Sequence, residues 1–260
     1  MTLGFITDYS EQDFWFALEH GLELECTINP PFDALDNLDR VLDLQDKYGV
    51  SVASCGVWGA EPLSPDPATA RAAQSLIPKL IDFTLAVGAS TCCIGAGSEM
   101  EGLSLQQHVD SFIPLLREWT DYADNNDIRL ALYNCHWANF AYKPEAWDLI
   151  WGALGETTLG IKYDPSHPFY DGRCYLDELL DWGDRVTHVH SKDTLKIGDK
   201  IVQDVPPGMG SIDYGRVMGV LNHHGYGGCV AMEPHSEGWG GPRRYEGILL
   251  GVDWMRNFIM

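Results

Sequence analysis

Positive charge is scarce in this chain: 17 lysines and arginines stand against 38 aspartates and glutamates, a net charge of −21. A surface of that sign repels a phosphate backbone at long range, so no nucleic acid is expected as a partner. A neutral ligand, or one bridged by a cation, is easier to accommodate. The seven cysteines (26, 55, 92, 93, 135, 174 and 229) include no CxxC pair. Neither a disulfide framework nor a zinc cluster is therefore expected, and most of these thiols fall in apolar runs as small core residues. No apolar run reaches the roughly 18 residues of a membrane span. No basic segment followed by an apolar one opens the chain, so the expectation is a cytoplasmic protein with no membrane partner. Linkers, low-complexity tracts and charge blocks are also missing, and residues 1–260 read as one domain.

Apolar residues make up 45% of the chain, with 9 Trp, 11 Tyr and 9 Phe, enough for a substantial core. Short apolar runs alternate with longer amphipathic ones throughout. The strand-like runs are Leu3–Thr7, Leu22–Cys26, Val50–Cys55, Thr91–Ile94, Ile128–Tyr133, Leu159–Tyr163, Val186–His190 and Gly228–Glu233. Between them Asp33–Tyr48, Pro67–Val87 and Leu105–Asp124 carry apolar residues at helical spacing, as in Val109, Phe112, Ile113 and Leu116. Eight strand-like runs, each followed by a helical one, predict a single (β/α)8 TIM barrel, because regular alternation demands a parallel sheet. An open doubly wound sheet is the runner-up, but no G-x-G-x-x-G follows the first strand.

Function in such a barrel gathers at the C-terminal strand ends. The early strands end blandly, at Thr7-Asp8, Cys26-Thr27 and Gly56-Val57-Trp58. The later ones end in Tyr133-Asn134-Cys135-His136, Asp164-Pro165-Ser166-His167, His188-Val189-His190-Ser191-Lys192-Asp193 and Glu233-Pro234-His235. Aspartate, histidine and glutamate converging from separate strands suit a divalent cation of the Mn, Mg or Co class. Strand alternation puts His188 and His190 on one side. Taken alone, His188 reads as a packed barrel histidine, and Lys192 with Asp193 as a solvated ion pair. The loop Val205–Tyr214 holds two prolines and two glycines, and Ser211 or Asp213 can cap the helix after it. Trp58 and Trp239 fall on rim loops, where an indole can stack on a sugar ring or simply pack the loop.

At these residues the chain resembles the sugar isomerase/epimerase superfamily, with its xylose isomerase-like TIM barrel. That group contains ketose 3-epimerases, hydroxypyruvate isomerase and inosose dehydratase. The matching stretches are GIKYDPSH (160–167), HVHSKD (188–193), VPPGMGSIDY (205–214) and VAMEPH (230–235). The resemblance implies metal ligands at Asp164, His190 and Glu233, and a substrate contact at His167. It also implies a fourth ligand, a glutamate, where this chain has Tyr133. Asn134 or His136 would then complete the metal shell. In the epimerases two glutamates face opposite sides of one substrate carbon, and a phenol, with a reference pKa near 10, is a poor base at pH 7.

The expected activity is thus proton abstraction alpha to a carbonyl of a keto-sugar, assisted by a divalent metal, Mn2+ first and Mg2+ or Co2+ as alternatives. One outcome is a carbon–oxygen lyase or hydratase on a 3-keto-glycoside or an inosose-like substrate. Glu233 or His136 would be its base, and Tyr133, His167 or Lys192 its proton donor. Another is an isomerase or 3-epimerase using His136, and a third is a non-catalytic relative that binds sugar. Asn134, His188, Trp58, Trp239 and His235 are the expected substrate contacts. The expected partner is a small carbohydrate, with homo-oligomers permitted.

Overall fold

Strand and helix boundaries follow the turn chemistry of the sequence. Ser10 caps the helix Glu11–His20 by accepting the Asp13 N–H, and Gly21, at φ 64°, ends it. Ser104 and Gln107 form a reciprocal capping box at the start of Leu105–Asp124. Asp213, one of the two expected caps, accepts the Arg216 N–H at Tyr214–His223. The other, Ser211, instead bonds the backbone of Lys196.

The computed structural model describes residues 1–259. Ten strands occur: β1 Thr2–Thr7, β2 Glu23–Ile28, β3 Val52–Val57, β4 Thr91–Ile94, β5 Arg129–Tyr133, β6 Gly160–Tyr163, β7 Val186–Ser191, β8 Asp193–Ile197, β9 Lys200–Val205 and β10 Cys229–Met232. Eight of them close a parallel barrel in the order β1-β10-β7-β6-β5-β4-β3-β2. These are the eight expected strands, and β2 and β3 each run two residues further than their apolar runs. Asp33–Tyr48 is a 3-10 turn, Asp33–Asn37, followed by the helix Leu38–Tyr48. Among the described residues, no helix is long and apolar enough to cross a membrane.

The antiparallel hairpin β8–β9 is an addition that apolar periodicity does not reveal, because its strands turn Lys200 and Gln203 to solvent and bury two aspartates, Asp193 and Asp204. It also corrects the reading of Asp193 as a solvated partner of Lys192. Asp193 is buried and accepts N–H groups from Thr194, Gly208, Gly210 and Ile212. One carboxylate therefore ties the hairpin to the Pro-Gly loop. A Cβ on Gly210 would lie 2.2 Å from Asp193 Oδ1, so that position has no room for a larger residue.

Candidate active site

Parallel strands buried on both faces are normally apolar, so the charges inside this barrel need partners. Glu25, on β2, lies fully buried at the barrel centre. Its Oε1 is 2.6 Å from Lys162 Nζ of β6, and its Oε2 is 2.7 Å from His188 Nε2 and 2.8 Å from His190 Nε2. His188 also meets Ser54 Oγ at 3.1 Å. Burial alone would raise the Glu25 pKa, but His190, Lys162 and His188 outweigh it and hold the carboxyl well below its usual range.

One layer nearer the C-terminal mouth, His190 turns its Nδ1 toward Glu233 Oε2 at 3.4 Å. Glu25 on Nε2 and Glu233 near Nδ1 thus grip the two ring nitrogens from opposite sides. Burial would lower the His190 pKa, yet Glu25 and Glu233 raise it overall. Lys192 Nζ sits 2.8 Å from Glu233 Oε2 and 3.5 Å from Asp164 Oδ2. Burial opposes its charge, but the two carboxylates push its pKa up, so it stays an ammonium. His167 Nε2 lies 3.5 Å from Asp164 Oδ2, and burial pushes its pKa down to about 4, leaving a neutral imidazole.

Asp164, His190 and Glu233 offer ligand atoms that all lie within 4.8 Å of one another. Asp164 Oδ2 and Glu233 Oε2 accept no aligned hydrogen bond, although the Lys192 ammonium is close to both. Two unsatisfied carboxylate oxygens beside an imidazole nitrogen fit a divalent cation. A second group, Glu25, His188 and His190, meets the same spacing. There both Glu25 oxygens already have hydrogen-bond partners, Oε1 in Lys162 and Oε2 in His188 and His190, so neither is left unsatisfied.

Tyr133 occupies the β5 position beside this set. Its ring lies under Lys162 Nζ at 4.1 Å from the centroid, and its hydroxyl is buried without a hydrogen-bond partner. Burial first, then nearby Cys93, Glu25 and Glu233, raises its pKa well above normal, so it remains a neutral phenol. The side chains around it are small: Cys93 and Ala131 pack against it, and Gly56 faces its hydroxyl.

These groups line a mouth cavity of about 790 Å3 that includes Tyr133, Asn134, Trp58, Asp164, His167, His190, Lys192, Glu233 and His235 among the expected residues. His235 donates its Nδ1–H to Asp204 Oδ2 of β9 at 2.8 Å. Asn134 lines the wall, but its amide is committed to the Asp164 backbone, donating to its C=O at 2.9 Å and accepting its N–H at 2.8 Å. It therefore fixes the Asp164 backbone in place. His136, His188 and Trp239 are not among the lining residues. His136 Nδ1 turns to Asp171 Oδ1 at 3.1 Å inside a group of aromatic rings. Trp239 is buried against Gly247 with the Arg243 guanidinium 3.9 Å over its ring.

Glu25, Lys162 and Asp204 escaped the sequence reading, which attended to strand ends. A usable signal was present: two acids in LELEC, of which Glu25 falls on the buried side, and a single base in GIKY, each in an otherwise apolar parallel strand.

The mouth of this closed parallel barrel gathers two carboxylates, an imidazole and an ammonium from neighbouring strands, a donor set that could hold a cation beside a polar ligand. The chain belongs to the xylose isomerase-like TIM barrel family, whose profile matches residues 19–258. It is 27% identical over 120 residues to the inosose dehydratase of Bacillus licheniformis, a match covering 41% of this chain and 40% of the dehydratase. The aligned part is thus less than half of that curated relative. A crystal structure of a D-tagatose 3-epimerase-like protein superposes with TM-score 0.82 at 17% identity, covering 99% of this chain and 97% of the other. The IOLI protein with a binding zinc atom gives TM-score 0.81 at 16% identity, over 99% and 98% of the two chains. At such identities these two structures establish a shared fold alone.

Proposed function

We propose that this protein is a divalent-metal-dependent carbon–oxygen lyase or hydratase acting on a 3-keto-glycoside or an inosose-like keto-sugar. The observation that carries the reading is Tyr133: a buried, neutral phenol stands where a two-base epimerase needs a carboxylate. Similarity to an inosose dehydratase supports it over part of the chain. Asp164, His190 and Glu233 would hold the cation, Mn2+ being the first choice. The chemistry such an ion supplies is polarisation of a substrate carbonyl oxygen.

The chain's own groups account for the rest. Lys192 and His190 keep Glu233 ionised against the cost of burial, so a carboxylate is present to accept the proton alpha to the ketone. The C–H electron pair becomes a double bond as the β carbon–oxygen bond breaks. The departing oxygen takes a proton from the Tyr133 phenol or the Lys192 ammonium, both protonated at neutral pH. Neutral His167 hydrogen-bonds a substrate hydroxyl. No oxidant or water enters the balance for glycoside cleavage.

The test is incubation of Mn-loaded protein with a 3-keto-glucoside and with an inosose, following release of the aglycone or loss of water. Elimination with either supports the reading. Interconversion of ketoses with deuterium uptake from solvent, and no elimination, replaces it with an isomerase or 3-epimerase.

A further inference from the structure

The mouth cavity has two unlike halves. Every ionisable acid, lysine and histidine of its wall comes from β6, β7, β10 or the residues just after them: Lys162, Asp164, His167, His190, Lys192 and Glu233, with His235 at the edge. The wall contributed by β1, β2 and β3 carries no charge and consists of Ile6, Thr7, Thr27, Asn29, Pro30 and Trp58. Strand order makes this a separation across the barrel. Between β7 and β3 lie β6, β5 and β4 on one side and β10, β1 and β2 on the other. Trp58 therefore stands diametrically opposite the strand that holds His190.

Trp58 is 37% exposed and Trp137, on the β5 side of the same cavity, 47%. An exposed indole at a cavity wall offers a flat face on which a planar apolar group can stack. A free monosaccharide has hydroxyls around its whole ring; Thr7, Thr27 and Asn29 could meet some of them, but Ile6, Pro30 and the Trp58 indole would be left without an apolar partner. At about 790 Å3 the cavity also lies in the range, roughly 300–1,000 Å3, that encloses ligands larger than one sugar ring.

We propose that the β1–β3 wall, with Trp58 as its platform, is a subsite for the aglycone of a glycoside, preferentially a planar aromatic one. The keto-sugar end then faces Asp164, His190 and Glu233, and the aglycone lies across the barrel on Trp58. This rests on the reading above only for the reacting end; the subsite itself is a matter of binding.

The experiment compares unoxidised phenyl and methyl β-glucosides, which cannot react, by calorimetry on the Mn-loaded protein. The phenyl compound should bind about tenfold more tightly. Trp58→Ala should bring that ratio close to one, and Trp58→Phe, which keeps a flat ring, should retain most of it. A wild-type ratio near one, no binding of either glucoside, or a Trp58→Ala variant that keeps the ratio would each overturn the subsite. The same ratio should appear in KM for the corresponding 3-keto-glucosides. A protein that shows the binding ratio but eliminates neither 3-keto-glucoside keeps the subsite and loses the lyase.

Discussion

Gly56 of β3 and Tyr133 of β5 are fitted to one another over the intervening strand β4: a Cβ on Gly56 would lie 2.2 Å from the Tyr133 hydroxyl. The tyrosine is therefore part of the barrel packing, seated over Cys93 and Ala131, and its ring carries the Lys162 ammonium 4.1 Å from its centroid. Gly56→Ala should destabilise by about 1–3 kcal/mol through overpacking. Tyr133→Phe removes a buried hydroxyl that has no partner and should be close to neutral. In the double variant the Gly56→Ala penalty should shrink by about 1 kcal/mol, read from a urea-denaturation cycle. Strict additivity would show that the two side chains do not meet.

The Glu25–Lys162 pair, both side chains 1% exposed, makes a second demand. Glu25→Leu strands an ammonium in the barrel and should cost about 3–5 kcal/mol. Adding Lys162→Met removes the stranded charge, and more than half of the loss should return. If Glu25→Leu alone unfolds at the wild-type urea concentration, the ion pair has no structural weight.

On the proposed function, metal retention depends on the cluster nearer the mouth. Glu233→Gln and Asp164→Asn each replace a carboxylate ligand by an amide and should weaken Mn2+ binding by about tenfold or more in calorimetry, with turnover abolished. Unchanged Mn2+ affinity in both variants would remove Asp164, His190 and Glu233 from the metal assignment.

Glu178 sets a pH dependence away from the cavity. Burial raises its carboxyl from 4.5 to about 7, even though Arg173 pulls the other way. The folded chain thus holds this proton more tightly than the unfolded one. Its contribution is complete below about 4.5 and is lost as pH rises through about 7. Glu178→Gln should leave stability at pH 5 near wild type and raise it at pH 8 by about 1 kcal/mol, or roughly 2–4 °C in Tm, after discounting for partial solvent access. A variant that gains nothing between pH 5 and pH 8 by thermal denaturation rules out this account.

Much of the fold is legible in the chain. Apolar periodicity and turn residues are local signals, so eight strand runs, their helical connections and the caps at Ser104 and Asp213 follow from neighbours in sequence. Parallel βα alternation then dictates a barrel and sends the reactive strand ends to one mouth. That is how Asp164, His190 and Glu233 could be grouped before any coordinates, and they do lie together.

What the tertiary structure decided is which charge answers which. Glu25 and Lys162 are 137 residues apart, and their pairing exists only because barrel closure brings β2 and β6 to a common interior. His136 and Asn134 looked free as residue types, yet one is drawn to Asp171 among aromatic rings and the other is committed to the Asp164 backbone. Buried polar groups must find partners, and with the chain closed on itself those partners are set by geometry across the barrel instead of by spacing along the sequence.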